Sequence, residues 1–253
     1  TSMTSNYYHD KTKRLSELLG VLEVKLTDSG IEADGKFFPV INDVIILIDS
    51  SQYPQSLLRS TGIKTESEKT EVFAPDIQDH YSKFWKEWPS LHSRYDEEFE
   101  GYFDLVNLDS LKGGRVCDLG SGMGRWSYML AQRVELSEIV LVDFSDAIFT
   151  ARKLFADDDR VIYFMGDLLK IPFPDNSFDF SMSLGVLHHL PADCLKIARR
   201  FKSIAPKFFV YLYYALDNKP FYYRLLLNAY TPIRKLTCRI KSEIFRIVFS
   251  WFI

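Results

Sequence analysis

Val116-Cys117-Asp118-Leu119-Gly120-Ser121-Gly122-Met123-Gly124 is a short apolar run that ends in an acid and breaks into alternating glycines, after which Arg125-Trp126 opens a helix-like stretch. Glycines lack a Cβ, so the backbone can turn sharply and lie close against a ligand, while the N–H groups of the following helix face the same crevice. The run reads as the first strand, loop and helix of an open α/β sheet, with any ligand at the carboxyl ends of the strands. Dinucleotide-binding folds place a similar turn after their first strand, so the glycines alone do not choose between ligands. The spacing here is G-x-G-x-G, and Arg125 occupies the place where the nicotinamide fingerprint wants glycine or alanine. Asp118, at the entry of the loop, would repel a pyrophosphate and attract an ammonium group. A ligand with a cationic end is expected.

Downstream, short apolar runs alternate with helix-length amphipathic pieces. Strands are expected over 115–119, 138–143, 161–166, 178–184 and 207–214, with helices near 124–133, 146–155 and 191–205. This alternation calls for an α/β fold with a Rossmann-like, doubly wound, mostly parallel sheet and right-handed crossovers. A second acid, Asp143, closes the run Ile139-Val140-Leu141-Val142 about 20 residues past the loop, where a carboxylate can accept both hydroxyls of a ribose. A third, Asp167, ends the next strand, placed to accept from an adenine amino group with Phe144 and Leu168 flanking the ring. Each acid alone could instead cap a helix. Repetition at three successive strand ends is what capping does not predict.

The glycine run with Asp143, Asp167 and Ser183-Leu184-Gly185-Val186-Leu187-His188-His189-Leu190 resembles the class I S-adenosylmethionine-dependent methyltransferases over residues 113 to about 215. The resemblance implies that Gly120, Gly122 and Gly124 cradle the methionine moiety, that Asp143 holds the ribose and that Asp167 recognises adenine. With Asp118, Ser121, Trp126, Phe144, Gly166, Leu168 and Leu184 these form the expected cofactor-binding set for S-adenosylmethionine. His188 is the candidate general base, against the alternative that the histidine pair serves packing and cofactor contact. Methyl transfer is an in-line displacement from a reactive sulfonium, so no obligatory nucleophile need appear. This family usually completes its sheet with an antiparallel hairpin after the fifth strand, whereas the residues after Tyr214 read as helical.

Residues 1–50 are expected to form a small β-rich accessory domain, from the alternation over 21–26, the Asp34-Gly35 turn and the apolar run 44–48. Part of it resembles the zinc-ribbon-like domain that accompanies some methyltransferases, but without metal-binding cysteines, so no metal is expected. A Ser-, Thr- and Gln-rich linker or loop follows over 51–75. The main domain runs over 76–215, opened by helices whose aromatics Tyr81, Trp85 and Trp88 are read as a lid or as core. The helical extension 216–253 carries basic and apolar residues that suit covering a substrate pocket or resting on a lipid surface.

A net charge of −3 gives no global pull toward nucleic acid. Three widely spaced cysteines without a CxxC pair indicate neither a disulfide framework nor a zinc knuckle, which fits a reducing cytoplasm. The expected activity is methylation of a small molecule: a metabolite, natural product or lipid-linked glycan. The alternatives are an RNA or protein methyltransferase and a non-catalytic cofactor-binding scaffold.

Overall fold

A computed structural model describes residues 7–54, 57–59, 78, 82, 94–156, 158–212 and 220–237, with Arg94 and 233–237 described as backbone. The expected lid aromatics Tyr81, Trp85 and Trp88, and most of the expected linker, lie outside these residues. The chain divides into two units, 1–212 and 213–253.

The centre of the first unit is a run of parallel strands: β5 (Arg115–Leu119), β6 (Glu138–Asp143), β7 (Val161–Met165), β8 (Phe180–Leu184) and β9 (Lys207–Tyr211). The interiors of β6 and β7 are near-continuous apolar runs because both faces of the sheet are covered there. Alternation sorts the side chains into two layers. Val116, Ile139, Leu141, Tyr163 and Met165 pack with helices α2 (Arg94–Phe103), α3 (Arg125–Ala131) and α4 (Ala147–Phe155). Cys117, Leu119, Val140, Val142 and Phe164 pack with α1 (Thr12–Leu19) and α5 (Cys194–Ile204). The result is a sheet between two helical layers.

From β5 the chain winds outward through β6 to β7, then returns to the other side of β5 for β8 and β9. The direction of winding thus reverses between β5 and β8, and a crevice opens there beyond the carboxyl ends of the strands. The strands expected at 115–119 and 138–143 have those bounds. β7 and β8 are shorter than expected by one and two residues, with β8 starting at Phe180, and β9 runs to Tyr211, the expected 213–214 lying outside the described residues.

The N-terminal strands are present but continue the main sheet. β1 (Val24–Leu26), β2 (Gly30–Ala33), β3 (Lys36–Ile41) and β4 (Val44–Ile46) pair antiparallel in sequence, and β4 then joins β7 in parallel with Val44 opposite Tyr163. The sheet has nine strands in the order β1-β2-β3-β4-β7-β6-β5-β8-β9. A fully buried β4 needs cover on both faces and a ladder on both edges, and β7 supplies the second edge. Residues 1–50 therefore do not form the separate β-rich body expected. The expectation also missed α1, which buries Leu15, Leu18 and Leu19 and ends at Gly20 in the left-handed conformation.

This N-terminal segment is riveted to the sheet. Arg14 donates to both carboxylate oxygens of Glu138 and to the Ser177 carbonyl. The Tyr8 hydroxyl donates to the Asp43 carbonyl, and Arg152 pairs with the Asp43 carboxylate at 2.9 Å. These contacts sit near the amino ends of the strands, away from the crevice.

Candidate cofactor site

At the end of β5 the chain passes into the glycine loop, and Gly120 has φ +85°. A Cβ there would lie 2.6 Å from the Val186 side chain, so only glycine fits beneath the segment after β8. Gly124, at φ +76°, faces elsewhere. Its missing Cβ would meet Ala151, Phe155 and Leu141 at 3.1–3.3 Å, which makes it the close-packing point of α3, α4 and β6.

The loop amides are largely committed. Gly120 and Ser121 both donate to the Val142 carbonyl at the end of β6, at 2.8 and 3.0 Å. Gly122 donates to Asp143 Oδ2 at 2.8 Å, and Gly124 donates to the Ser121 carbonyl at 2.9 Å. A phosphate-binding loop presents such groups to its ligand. Here they bind the loop to β6, which disfavours the dinucleotide alternative.

Asp118 is 3% exposed, and the pleat turns it toward α3, where the Ser127 hydroxyl donates to Oδ2 at 2.6 Å. Burial pushes its carboxyl up to about 7; the Ser127 hydrogen bond opposes the rise and the Asp143 charge adds to it. Asp143 is also buried and raised by desolvation, against hydrogen bonds from Ser145 and Gly122. Its Oδ1 accepts from the Ser145 amide at 2.8 Å and the Ser145 hydroxyl at 2.6 Å. Donors from Gly122, Phe144 and Ser145 therefore hold a carboxylate that the sequence presented as free for a ribose. Among the described residues neither Asp118 nor Asp143 is paired with a cation. The buried Ser121 hydroxyl has no hydrogen-bond partner among the described residues. Two buried carboxylates and an orphaned hydroxyl around one loop leave bonding capacity for a polar, cationic group.

Asp167 follows β7 and is half-buried. Its Oδ1 accepts from the Leu169 amide at 2.9 Å, closing a turn beside the crevice. Leu168 is buried in the α1–α5 layer, Gly166 packs on Val142, and Leu184 ends β8. Phe144 is half-buried, and its carbonyl accepts from Gln78 Nε2 at 2.7 Å. Trp126 lies with its ring against α2, 4.9 Å from the Tyr102 ring and 6.0 Å from that of Tyr95, inside the core. His188 sits in a single 3-10 turn anchored by buried Leu187, its ring 4.0 Å from that of His189, and desolvation lowers its pKa. A neutral imidazole can accept a proton.

Sequence reasoning missed the supports. Ser127 and Ser145 hold the two acids, and Ser183 donates to the Leu119 carbonyl at 2.8 Å where β5 and β8 part. Gln78 and Ser82 reach the loop after β6, Gln78 through the Phe144 carbonyl and Ser82 by accepting from the Asp146 amide at 3.2 Å. Ser145, two residues past Asp143, is the one local signal that was available.

Comparison with known proteins bears on the same segment: residues 116–205 match the family model of a methyltransferase domain. This segment is a class I methyltransferase domain. Its cofactor is S-adenosylmethionine, and the free bonding capacity around the glycine loop fits an amino-acid sulfonium. The domain is 31% identical over 86 residues to 27-O-demethylrifamycin SV methyltransferase of Amycolatopsis mediterranei, covering 31% of this chain and 30% of that protein. It is 38% identical over 68 residues to demethylmenaquinone methyltransferase of Clavibacter sepedonicus, covering 26% of this chain and 27% of the relative. The chain thus spans under a third of the length of these relatives. Among solved structures, it is similar to a SAM-dependent methyltransferase from Aquifex aeolicus, with a TM-score of 0.41 and 22% identity over 49% of this chain and 66% of the other.

Proposed function

We propose that the protein transfers a methyl group from S-adenosylmethionine to a small organic acceptor. The observation that carries this reading is the pair of buried carboxylates, Asp118 and Asp143, without a cation, on either side of a loop whose amides are already bonded. That arrangement attracts the ammonium and sulfonium end of the cofactor and offers little to a phosphate. Gly120, Ser121 and Gly122 would hold the methionine moiety, with the Ser121 hydroxyl and the Asp118 carboxylate as its polar partners. Asp143 would hold the ribose and Asp167, Phe144 and Leu168 the base, at the ends of β6 and β7.

The bound cofactor supplies an electrophilic methyl group that needs no further activation. The chain's contribution is to hold the acceptor in line and exclude water. His188, on the turn after β8, would accept a proton where the acceptor atom carries one. The relatives are named for 27-O-demethylrifamycin SV and demethylmenaquinone, which supports a small-molecule acceptor. The net charge of −3 gives no support to an RNA substrate.

Calorimetric titration with S-adenosylhomocysteine tests the cofactor site. Binding that disappears in Asp143→Ala while the fold persists supports the placement; an unchanged isotherm refutes it. Transfer of a labelled methyl group to a hydroquinone or phenolic acceptor, lost on mixing with excess S-adenosylhomocysteine, tests the reaction itself. A chain that binds the cofactor and transfers to no acceptor is the non-catalytic scaffold.

A further inference from the structure

The second unit contains a 17-residue helix, α6 (Phe221–Thr237). At about 100° per residue, Phe221, Leu225, Ala229, Tyr222 and Leu226, with Pro232, fall within one arc of about 140° that carries no charge. Arg224 and Thr231 lie on the opposite side together with Leu227, which is 48% exposed, and Asn228, Tyr223 and Tyr230 stand at the boundaries. Phe221, Leu225 and Leu226 are 77%, 60% and 62% exposed. With Tyr222, 49% exposed between Leu225 and Leu226, they form a face that water does not favour.

The charge pattern says what covers it. Between Asp217 and Glu243 the sequence has six basic residues, Lys219, Arg224, Arg234, Lys235, Arg239 and Lys241, and no acid, in a chain whose overall charge is −3. A helix that packs on a protein surface usually carries both signs on its outer side, whereas an exclusively basic stretch beside an aromatic and aliphatic face matches an anionic lipid interface. Tyrosines at the polar–apolar boundary fit the headgroup level, where one end of the ring is apolar and the other wet. No helix among the described residues is long and apolar enough to cross a membrane, so the fitting geometry lies in the plane of the surface.

We propose that α6 is a membrane-surface helix that docks the protein on anionic bilayers, with Phe221, Leu225 and Leu226 in the acyl boundary and Arg224 at the headgroups. This inference does not depend on the methyl-transfer reading. It is tested with the full chain by flotation on phosphatidylcholine vesicles with and without about one third phosphatidylglycerol. The expected result is partition onto anionic vesicles at least about tenfold stronger than onto neutral ones, weakening as salt rises. Leu225→Glu with Leu226→Glu should abolish partition onto both, and Arg224→Glu should lower it on anionic vesicles alone. S-adenosylhomocysteine binding by each variant reports that the first unit is folded. Equal partition onto both vesicle types, or none onto either, overturns the proposal. So does a concentration-dependent dimer that the double variant dissociates, which would assign the face to a second copy of the chain.

Discussion

Asp118→Asn separates a buried, uncompensated carboxylate from an ordinary structural acid. Burial raises the carboxyl from 3.8 to about 7, which corresponds to about 4 kcal/mol between its protonated and ionised forms. The sign follows from proton counting. Between about pH 4 and 7 the folded protein holds a proton that the unfolded chain has released, so stability falls as pH rises through this window and the full penalty stands above pH 7. Asn keeps an oxygen for the Ser127 hydroxyl and cannot ionise, but its amide hydrogens lack an evident acceptor, a loss of about 1–2 kcal/mol. The variant should therefore be slightly less stable than the parent at pH 4 and more stable by about 2 kcal/mol at pH 8, or about 4–8 °C in Tm for a chain of this size. Thermal denaturation followed by circular dichroism across pH 4–8 reads both limits. At pH 8 the variant should also lose at least about tenfold in affinity for S-adenosylhomocysteine, whose ammonium group no longer meets a carboxylate. A difference in Tm that is the same at pH 5 and pH 8 would refute the buried-charge argument. Unchanged affinity at pH 8 would refute the assignment of Asp118 to the cationic end of the ligand.

The same linkage predicts that parental affinity for S-adenosylhomocysteine rises from pH 6 to pH 8, because ligand binding favours ionised Asp118; calorimetry in buffers of different ionisation enthalpy should detect proton release near pH 7. Gly120→Ala should cost about 1–3 kcal/mol, since it adds a Cβ at φ +85° against Val186. Val186→Ala in the same chain should recover part of that loss in urea denaturation, and no recovery would disprove the steric account. Ser127→Ala removes the hydroxyl that holds Asp118, so the pH at which stability falls should move upward, as titration of Tm shows. Arg14→Leu strands the Glu138 carboxylate, whose side chain is 13% exposed, and should cost about 2–4 kcal/mol in stability while cofactor affinity stays unchanged. Reduced affinity in a folded Arg14→Leu protein would contradict the placement of that ion pair away from the crevice.

The five parallel strands and the glycine loop were legible because their signals are local: an apolar run buried on both faces, an acid at its end, and a turn that only glycine can make. Position at a strand end also picked out Asp118, Asp143 and Asp167, since a parallel sheet brings successive carboxyl ends to one edge. The state of those acids was not legible. Whether Asp143 is free or already holds Gly122 and Ser145, and whether Asp118 is charged, depends on burial and on donors brought in by folding, and neither quantity is carried by neighbours along the chain. The N-terminal strands show the same division. Their alternation predicted β structure, but a strand's second edge can be satisfied by any partner of matching register. Only the tertiary structure set β4 against β7, more than 100 residues away, and made one sheet of what the sequence presented as two bodies.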